Sequence, residues 1–243
     1  MSKSLTVDEK STVETGTARA PAPRWMRALV AGAAVLAVLL LGASLGMLVR
    51  LPGAGPAQPG ATSVDLGFAQ DMSVHHRQAV QMAAVAQERS SDPLIRVLAF
   101  DIEYTQLEQV GRMQGWLSLW NAAALPPSGR HMGWMTGTAG IAHGHGEGGE
   151  GSGGVQTMPG MASPAELEQL RSAEGSEFDV LFLQLMLRHH QGGTPMAEYA
   201  AQHAEIAQVR NLAEKIVTSQ SAESQYLTEL IRQHGAQPLP PPI

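Results

Sequence analysis

Two pairs of adjacent histidines, His75–His76 and His189–His190, are the residues of this sequence whose types and spacing suggest shared chemistry. Each pair stands in the pattern Asp-x2-Phe-x3-Met-x2-His-His-x5-Met-Ala, from residue 65 to 83 and again from 179 to 197, at an offset of 114 residues. Imidazole nitrogen binds copper, zinc, nickel and iron, whereas thioether sulfur is a soft ligand that selects Cu(I). The pattern therefore predicts a transition-metal site, most naturally for copper as Cu(I) or Cu(II), with other transition metals left open.

The histidines and methionines of each copy fall on one side of a helix. At about 100° per residue, Met72, His75, His76 and Met82 lie within roughly 120° of one another, on the same side as Phe68. That side should pack against partner helices, and a buried ring without a hydrogen bond or ligand costs a few kcal/mol. We therefore predict an interior site, mononuclear or binuclear, whose candidate ligands are His75, His76, His189, His190, Met72, Met82, Met186 and Met196.

The second copy of the pattern contains residues that favour a break in the helix. Gly192, Gly193 and Pro195 are expected to interrupt it, which would move Met196 away from the face of His189.

An interpretation without a metal also stays open, because a single buried histidine is more often a hydrogen-bonded core residue and methionine at helical spacing usually fills a core. Recurrence of the whole pattern favours the metal site over that reading.

A Gly-rich stretch separates the two copies. Residues 125–162 are predicted to form a flexible linker, because so many glycines make ordering of the backbone costly. The linker contains the short motifs HMGWM, HGH and MPGM, which are typical of loose metal capture, although a solvated spacer of accidental composition is the alternative. The candidate secondary ligands are His131, Met132, Met135, His143, His145, Met158 and Met161.

The segments on either side of the linker, 63–124 and 163–237, are predicted to be helical hairpins. Asp92 is a predicted N-cap with Pro93 at the first helical position, and Ser163 with Glu166 forms a predicted capping box. The last helix is expected from about residue 205 to 234, before a Pro-rich tail at 238–243.

The sequence identity between the two segments extends beyond the histidine motif. Ile102 matches Ile216 and Gln106 matches Gln220 at the same offset, as duplication of a helical hairpin would leave. One amphipathic hairpin cannot bury its apolar face alone, whereas two can pack face to face. The predicted fold class is all-α, a four-helix bundle of two repeated hairpins.

The N-terminal region predicts export. Residues 28–49 are 22 consecutive uncharged residues, long enough to span a bilayer, and basic residues are concentrated before them. We predict a cytoplasmic tail at 1–27, a single-pass signal anchor at 28–49, a linker at 50–62 and an extracytoplasmic remainder. The alternative is a cleaved signal peptide that releases a secreted form.

Composition excludes several function classes. A net charge of −6 and a pI near 5.8 argue against a nucleic-acid partner, and the absence of cysteine excludes disulfides and thiolate metal sites. A di-iron oxidase would need Glu-x-x-His pairs, which are absent. Asp71 is left out of the site because its counterpart is Leu185, and Asp65 and Asp179 are expected to interact with the helix dipole. Catalysis is not favoured, but a metal-dependent redox enzyme and a non-metal helical interaction module with structural histidines remain alternatives.

The motifs resemble those of the domain-of-unknown-function family 305 (DUF305), whose members are often exported in bacteria. The resemblance covers about residues 63–237. It implies a ferritin-like four-helix bundle and, since some relatives are linked to copper binding or resistance, a role in copper sequestration. The residues that carry it are Met158, Met161, Phe178, Asp179, Phe182, Met186, His189, His190, Met196 and Ala197.

Overall fold

The computed structural model describes residues 23–48, 63–135 and 154–242, and the secondary structure of these ranges is helical apart from one isolated antiparallel bridge. The predicted all-α fold class is confirmed. The chain divides into two compact units, Met1–Ala57 and Gln58–Ile243. The helices are α1 (Arg24–Leu48), α2 (Val64–Arg89), α3 (Pro93–Leu119), α4 (Pro164–Ser172), α5 (Gly175–His203) and α6 (Ala207–Gln233).

Helix α1 belongs to the first unit. Its stretch Arg24–Gly46 is long and apolar enough to cross a membrane, and it is not buried within the structure. The predicted apolar N-terminal helix is therefore present. Length and composition are equally those of a signal sequence near an N-terminus.

The second unit consists of two helical hairpins, as the duplication predicted. Helix α2 packs along α3, α5 packs along α6, and the two hairpins meet through α2 and α5, the helices that carry the histidine pairs. The predicted caps are confirmed: Leu94 N donates to the side chain of Asp92 at 2.8 Å, and Ser163 with Glu166 forms the capping box that starts α4. The last helix, Ala207–Gln233, lies within the range expected for it.

Asp65 joins one hairpin to the other. It was expected to interact with the dipole of its own helix, and the structure shows a second role for its buried carboxylate. Ile206 N donates to Oδ1 at 2.9 Å and Glu205 N donates to Oδ2 at 3.1 Å. Because Ile206, the N-cap of α6, makes no side-chain capping bond of its own, Asp65 satisfies amides at that helix start.

Helix α5 is continuous through the predicted break, so that expectation is wrong. It runs from Gly175 to His203 with Pro195 inside it, and Met196 is buried on its inner side. The glycines serve a different purpose from helix breaking. A Cβ at Gly192 would lie 2.1 Å from the carbonyl oxygen of Pro159, so only glycine admits the chain segment that passes there.

Candidate metal centre

The four histidines of the two motifs meet in the interior between α2 and α5. His75, His76, His189 and His190 are all fully buried. The ring centroids of His75 and His189, one from each copy, are 3.8 Å apart with an interplanar angle of 35°, and those of His189 and His190 are 6.4 Å apart. The sequence-predicted pairs are thus brought together as one group of rings.

Two of the rings make the same hydrogen bond in the two copies. His76 Nε2 lies 2.6 Å from Gln109 Oε1, and His190 Nε2 lies 2.6 Å from Glu223 Oε2. Gln109 and Glu223 occupy the same position of the duplicated second helices. An ionised carboxylate oxygen only accepts, so His190 donates from Nε2, and the amide oxygen of Gln109 assigns the same tautomer to His76. Outer partners of this kind orient metal-binding histidines.

A third ring is fixed by the MPGM motif. His75 Nε2 donates to the carbonyl oxygen of Pro159 over 3.2 Å. The segment 158–162, which we call the cover segment, is held by Gln78: Ala162 N donates to Gln78 Oε1 at 2.6 Å, and Gln78 Nε2 donates to Ala162 O at 2.9 Å. Gly160 in this segment has a φ of +78°, which favours glycine, and it lies against α5.

With those tautomers set, the other ring nitrogens carry unshared lone pairs. Nδ1 of His75, His76 and His190 has no hydrogen-bond partner among the described residues, and neither nitrogen of His189 makes a hydrogen bond of normal geometry there. The Nδ1 atoms of His75 and His76 are therefore bare acceptors in the neutral rings, and His189 offers one more from whichever nitrogen is unprotonated. Buried imidazole lone pairs suit copper, zinc, nickel or iron as ligands.

Two glutamines belong to the same polar layer. Gln106 and Gln220 are matched by the duplication and buried, and neither side-chain amide atom of either residue has a hydrogen-bond partner in the described ranges. A Cβ at Gly193 would lie 2.9 Å from His75 Cε1 and 3.3 Å from Gln220 Oε1, which places this amide beside the ring. We call the following group the histidine layer: His75, His76, His189, His190, Gln106 and Gln220.

Burial keeps three of the rings neutral. Desolvation lowers the pKa of His75 to about 4 and that of His76 to about 3, and it lowers the pKa of His189 well below its ordinary value. Positive charge on a neighbouring ring lowers the pKa of each of the three further. At neutral pH each of these three rings consequently has one unprotonated nitrogen available as a ligand.

The lowered pKa values predict an acid-labile metal-free protein. Since the unfolded chain has histidine pKa values near 6.5, it takes up protons before the folded protein does as the pH falls. Stability is therefore complete above about pH 6.5 and falls as the pH drops below it, down to about pH 4 for His75 and about pH 3 for His76. Melting temperatures in chelator between pH 8 and pH 4 measure this. An exposed control, His203→Gln, should keep the same profile, and a flat wild-type profile would contradict the expectation.

The four motif methionines are buried on both sides of the histidines along the helices. Met72 and Met196 lie in one apolar cluster and Met82 and Met186 in the other, so each cluster contains one methionine from each copy. Within residues 23–48, 63–135 and 154–242, no three His, Asp or Glu side chains form a group with metal-site geometry. No three of the four rings are thus placed as ligands of a single ion in this part of the chain.

The two ends of the predicted flexible linker are packed onto the bundle. His131 and Val155 exchange backbone hydrogen bonds of 2.8 Å, and Met132, Met135 and Met158 are buried in the cluster that contains Met72 and Met196. Met161 packs against that cluster. His143 and His145 lie outside the described residues.

Asp71, which the duplication argument left out, organises the HMGWM segment. Its buried carboxylate accepts from His131 Nδ1 at 2.7 Å, Met132 N at 2.6 Å and Trp134 Nε1 at 2.8 Å. Leu185 occupies the matching position in the second copy. A lone carboxylate on a buried helix face was the signal that sequence reasoning passed over.

Sequence reasoning also passed over the partners of the histidines. Gln106 and Gln220 were noted as matching residues but received no role at the site. Gln109 and Glu223 share the offset of 114 residues and lie 33 residues after His76 and His190, respectively. This constant spacing was the signal in the sequence that could have identified the two partners. A count of identical residues misses it, because Gln109 in the first copy is matched by Glu223 in the second.

The helical bundle matches a known protein family. The DUF305 model, described as a domain of unknown function, matches residues 65–231, and the chain belongs to this family. A DUF305 protein from Streptomyces coelicolor is 37% identical with a TM-score of 0.64, covering 74% of this chain and 99% of that chain. A DUF305 fragment from Deinococcus radiodurans is 29% identical with a TM-score of 0.55, with coverage of 74% and 99%.

A more distant likeness concerns the fold alone. CopM in its Cu(II)-bound form is 24% identical with a TM-score of 0.52, covering 70% of this chain and 96% of CopM. Comparison with the curated proteins produced no match. The resemblance inferred from the motifs is confirmed at the level of family and helical fold.

Proposed function

We propose that this chain is an extracytoplasmic metal-binding protein that sequesters copper in its histidine layer. The observation that carries the proposal is the group of four fully buried imidazole rings, in which Nδ1 of His75, His76 and His190 has no hydrogen-bond partner among the described residues. An unsatisfied buried polar group costs on the order of 1–3 kcal/mol, so a duplicated set of them has a function other than stabilising the metal-free fold.

The donor types present suit a copper ion, which would have to draw the rings into a coordination geometry that the described residues do not have here. His75, His76 and His190 would bind through Nδ1, because their Nε2 atoms are engaged by Pro159, Gln109 and Glu223. His189 would bind through its unprotonated nitrogen. Thioether sulfur would complete a soft set for Cu(I), since sulfur favours that oxidation state. The sulfur ligands we propose are Met72, Met82, Met186 and Met196, two from each apolar cluster.

CopM supports copper as the first metal to test. CopM shares the helical fold and has been crystallised with Cu(II) and with Cu(I). Its low identity transfers no ligand residues to this chain. The choice of copper therefore rests on the local donor chemistry, which independently favours a soft or borderline ion.

The proposal also includes export of the bundle from the cytoplasm and loose binding of metal by the linker. Helix α1 would act as a single-pass anchor or as a cleaved signal sequence, and either arrangement exports the bundle. The Streptomyces coelicolor relative is described as a secreted protein. The linker motifs would collect metal loosely, through His131, Met132, Met135, Met158 and Met161, together with His143 and His145 outside the described residues.

The test is titration of the purified, metal-free protein with Cu(I) and Cu(II) against competing chelators. We expect tight binding with a defined stoichiometry and a rise in melting temperature, since a ligand that binds only the folded state at 100 times its Kd adds about 2.7 kcal/mol of stability. Zn(II) and Ni(II) serve as comparison ions. Absence of both binding and stabilisation with every ion would refute the proposal and favour a bundle with structural histidines.

A further inference from the structure

Helix α3 presents an exposed apolar stripe on the side opposite to the core. Its five members follow one another at intervals of three or four residues and retain between 48% and 70% of their exposure. Phe100 and Tyr104 stack at the centre, with ring centroids 6.2 Å apart. We call this surface the α3 stripe: Leu94, Val97, Phe100, Tyr104 and Leu107.

The duplicated helix shows that the fold does not require this stripe. Helix α6 packs in its own hairpin as α3 does, and the five matching positions, 114 residues later, are all polar and exposed: Gln208, Asn211, Glu214, Thr218 and Ser221. One copy has therefore kept a solvated face where the other carries Phe and Tyr. An exposed apolar surface confined to one of two equivalent helices indicates an interaction site.

The stripe has a bulky end and a small end. Leu94, Val97 and Phe100 occupy its N-terminal half, whereas Gly111 and Gly115 continue the same face towards the C-terminus with open space around their Cα atoms. Two such helices fit when they run in opposite directions, because the N-terminal end of each α3 helix then lies against Gly111 of the other. A parallel pair would set glycine against glycine and leave a void.

We propose that the α3 stripe binds the α3 stripe of a second copy of this chain, antiparallel and around a two-fold axis. One register pairs three layers of the two helices. It sets Phe100 against Tyr104 of the second copy, Val97 against Leu107, and Pro93 against Gly111, with the reciprocal contacts generated by the symmetry.

The available area is consistent with a homodimer. Aromatic side chains bury about 150–250 Å² each, so Phe100 and Tyr104 at 56% and 70% exposure contribute roughly 250 Å² per copy. The three aliphatic side chains add a similar area, for a total of roughly 500–600 Å² per copy. Two copies reach about 1,100 Å² before flanking residues are added, which is at the lower limit for a specific interface. The dimer should therefore be reversible and dependent on concentration. This proposal is independent of metal binding, because the stripe faces away from the histidine layer.

The absence of cysteine from the sequence permits a direct test of the register. In the full-length chain in its native membrane, Val97→Cys/Leu107→Cys should form a disulfide-linked dimer on mild oxidation with diamide, whereas each single variant should not. The matched control Asn211→Cys/Ser221→Cys places the same cysteines on α6 and should stay monomeric. Failure of the double variant to cross-link would overturn the proposal, and so would a dimer formed by Val97→Cys alone, which requires a parallel pair.

A second variant separates loss of the interface from loss of the fold. Phe100→Glu introduces the residue that α6 carries at the matching position, Glu214, on an exposed surface. Sedimentation velocity of wild-type protein across the micromolar range should show a monomer–dimer equilibrium, and Phe100→Glu should shift it fully to monomer with an unchanged helical spectrum and unchanged copper affinity. A wild-type protein that stays monomeric at every concentration would refute the dimer.

Discussion

Replacement of both His75 and His189 by alanine should remove tight copper binding while the protein remains folded. These two rings are in contact across the interface of the hairpins, and His189 has no hydrogen-bonded nitrogen of normal geometry in the described structure. Loss of one ring from each copy therefore disables both halves of a shared site. Outer partners of a metal ligand alone contribute 10–100-fold to affinity, so we expect the loss of two direct ligands to weaken Cu(I) binding by ~100-fold or more.

The measurement is competition with a chromophoric Cu(I) chelator under anaerobic conditions. The control variant, His203→Ala/His234→Ala, removes the same number of imidazoles from outside the layer and should bind as the wild type does. Weak binding to the linker motifs should survive in both variants as a low-affinity component. Retention of wild-type affinity by His75→Ala/His189→Ala would exclude the histidine layer as the tight site.

Much of the histidine layer was predictable because it follows from helical phase and duplication. A stripe that recurs at a fixed offset specifies which face is buried in each copy, and two amphipathic hairpins must bury those faces against each other. The meeting of His75 with His189 is the direct consequence. The contact needed no information beyond the sequence, because both helices place their histidines at the same level of the bundle.

The continuity of α5 was not predictable from local rules. Gly192, Gly193 and Pro195 have poor helix propensity, and propensity alone ends a helix there. Tertiary contact reverses the outcome, because the cover segment lies so close that Pro159 O would clash with any Cβ at Gly192. The glycines are required because two segments more than 30 residues apart in the sequence come into close contact there. A prediction from neighbouring residues alone cannot include such a contact.

The partners of the site were hidden for a related reason. Asp71 holds His131, and Pro159 O holds His75, through contacts with a Gly-rich region that composition assigns to a linker. Amino-acid composition gives only the average tendency of the whole region to be flexible. The contacts at His131 and Pro159 hold its two ends against the bundle. The repeat argument that identified the histidines was misleading for Asp71, since it treated an unmatched residue as an unimportant one.

The substitution His189→Leu should raise the stability of the metal-free protein while it weakens copper binding. The fully buried imidazole of His189 has both nitrogens without a normal hydrogen bond in the described structure, and burial lowers its pKa well below the ordinary value. Leucine fills the same interior without an unsatisfied polar group. Removal of that group should increase the free energy of unfolding by about 1–3 kcal/mol at neutral pH and by more at pH 5, where the wild type loses stability to protonation of the unfolded chain.

Urea unfolding in chelator at pH 7.5 and pH 5 measures this gain. The informative control is His131→Leu, because His131 Nδ1 is bonded to the buried carboxylate of Asp71 and its loss leaves that charge with one donor fewer. We expect the control to lower stability. Equal destabilisation by the two substitutions would mean that His189 serves the fold. Opposite changes in the free energy of unfolding, a gain for His189→Leu and a loss for His131→Leu, would mean that His189 lowers the stability of the metal-free protein. That cost is expected of a metal ligand and not of a core residue.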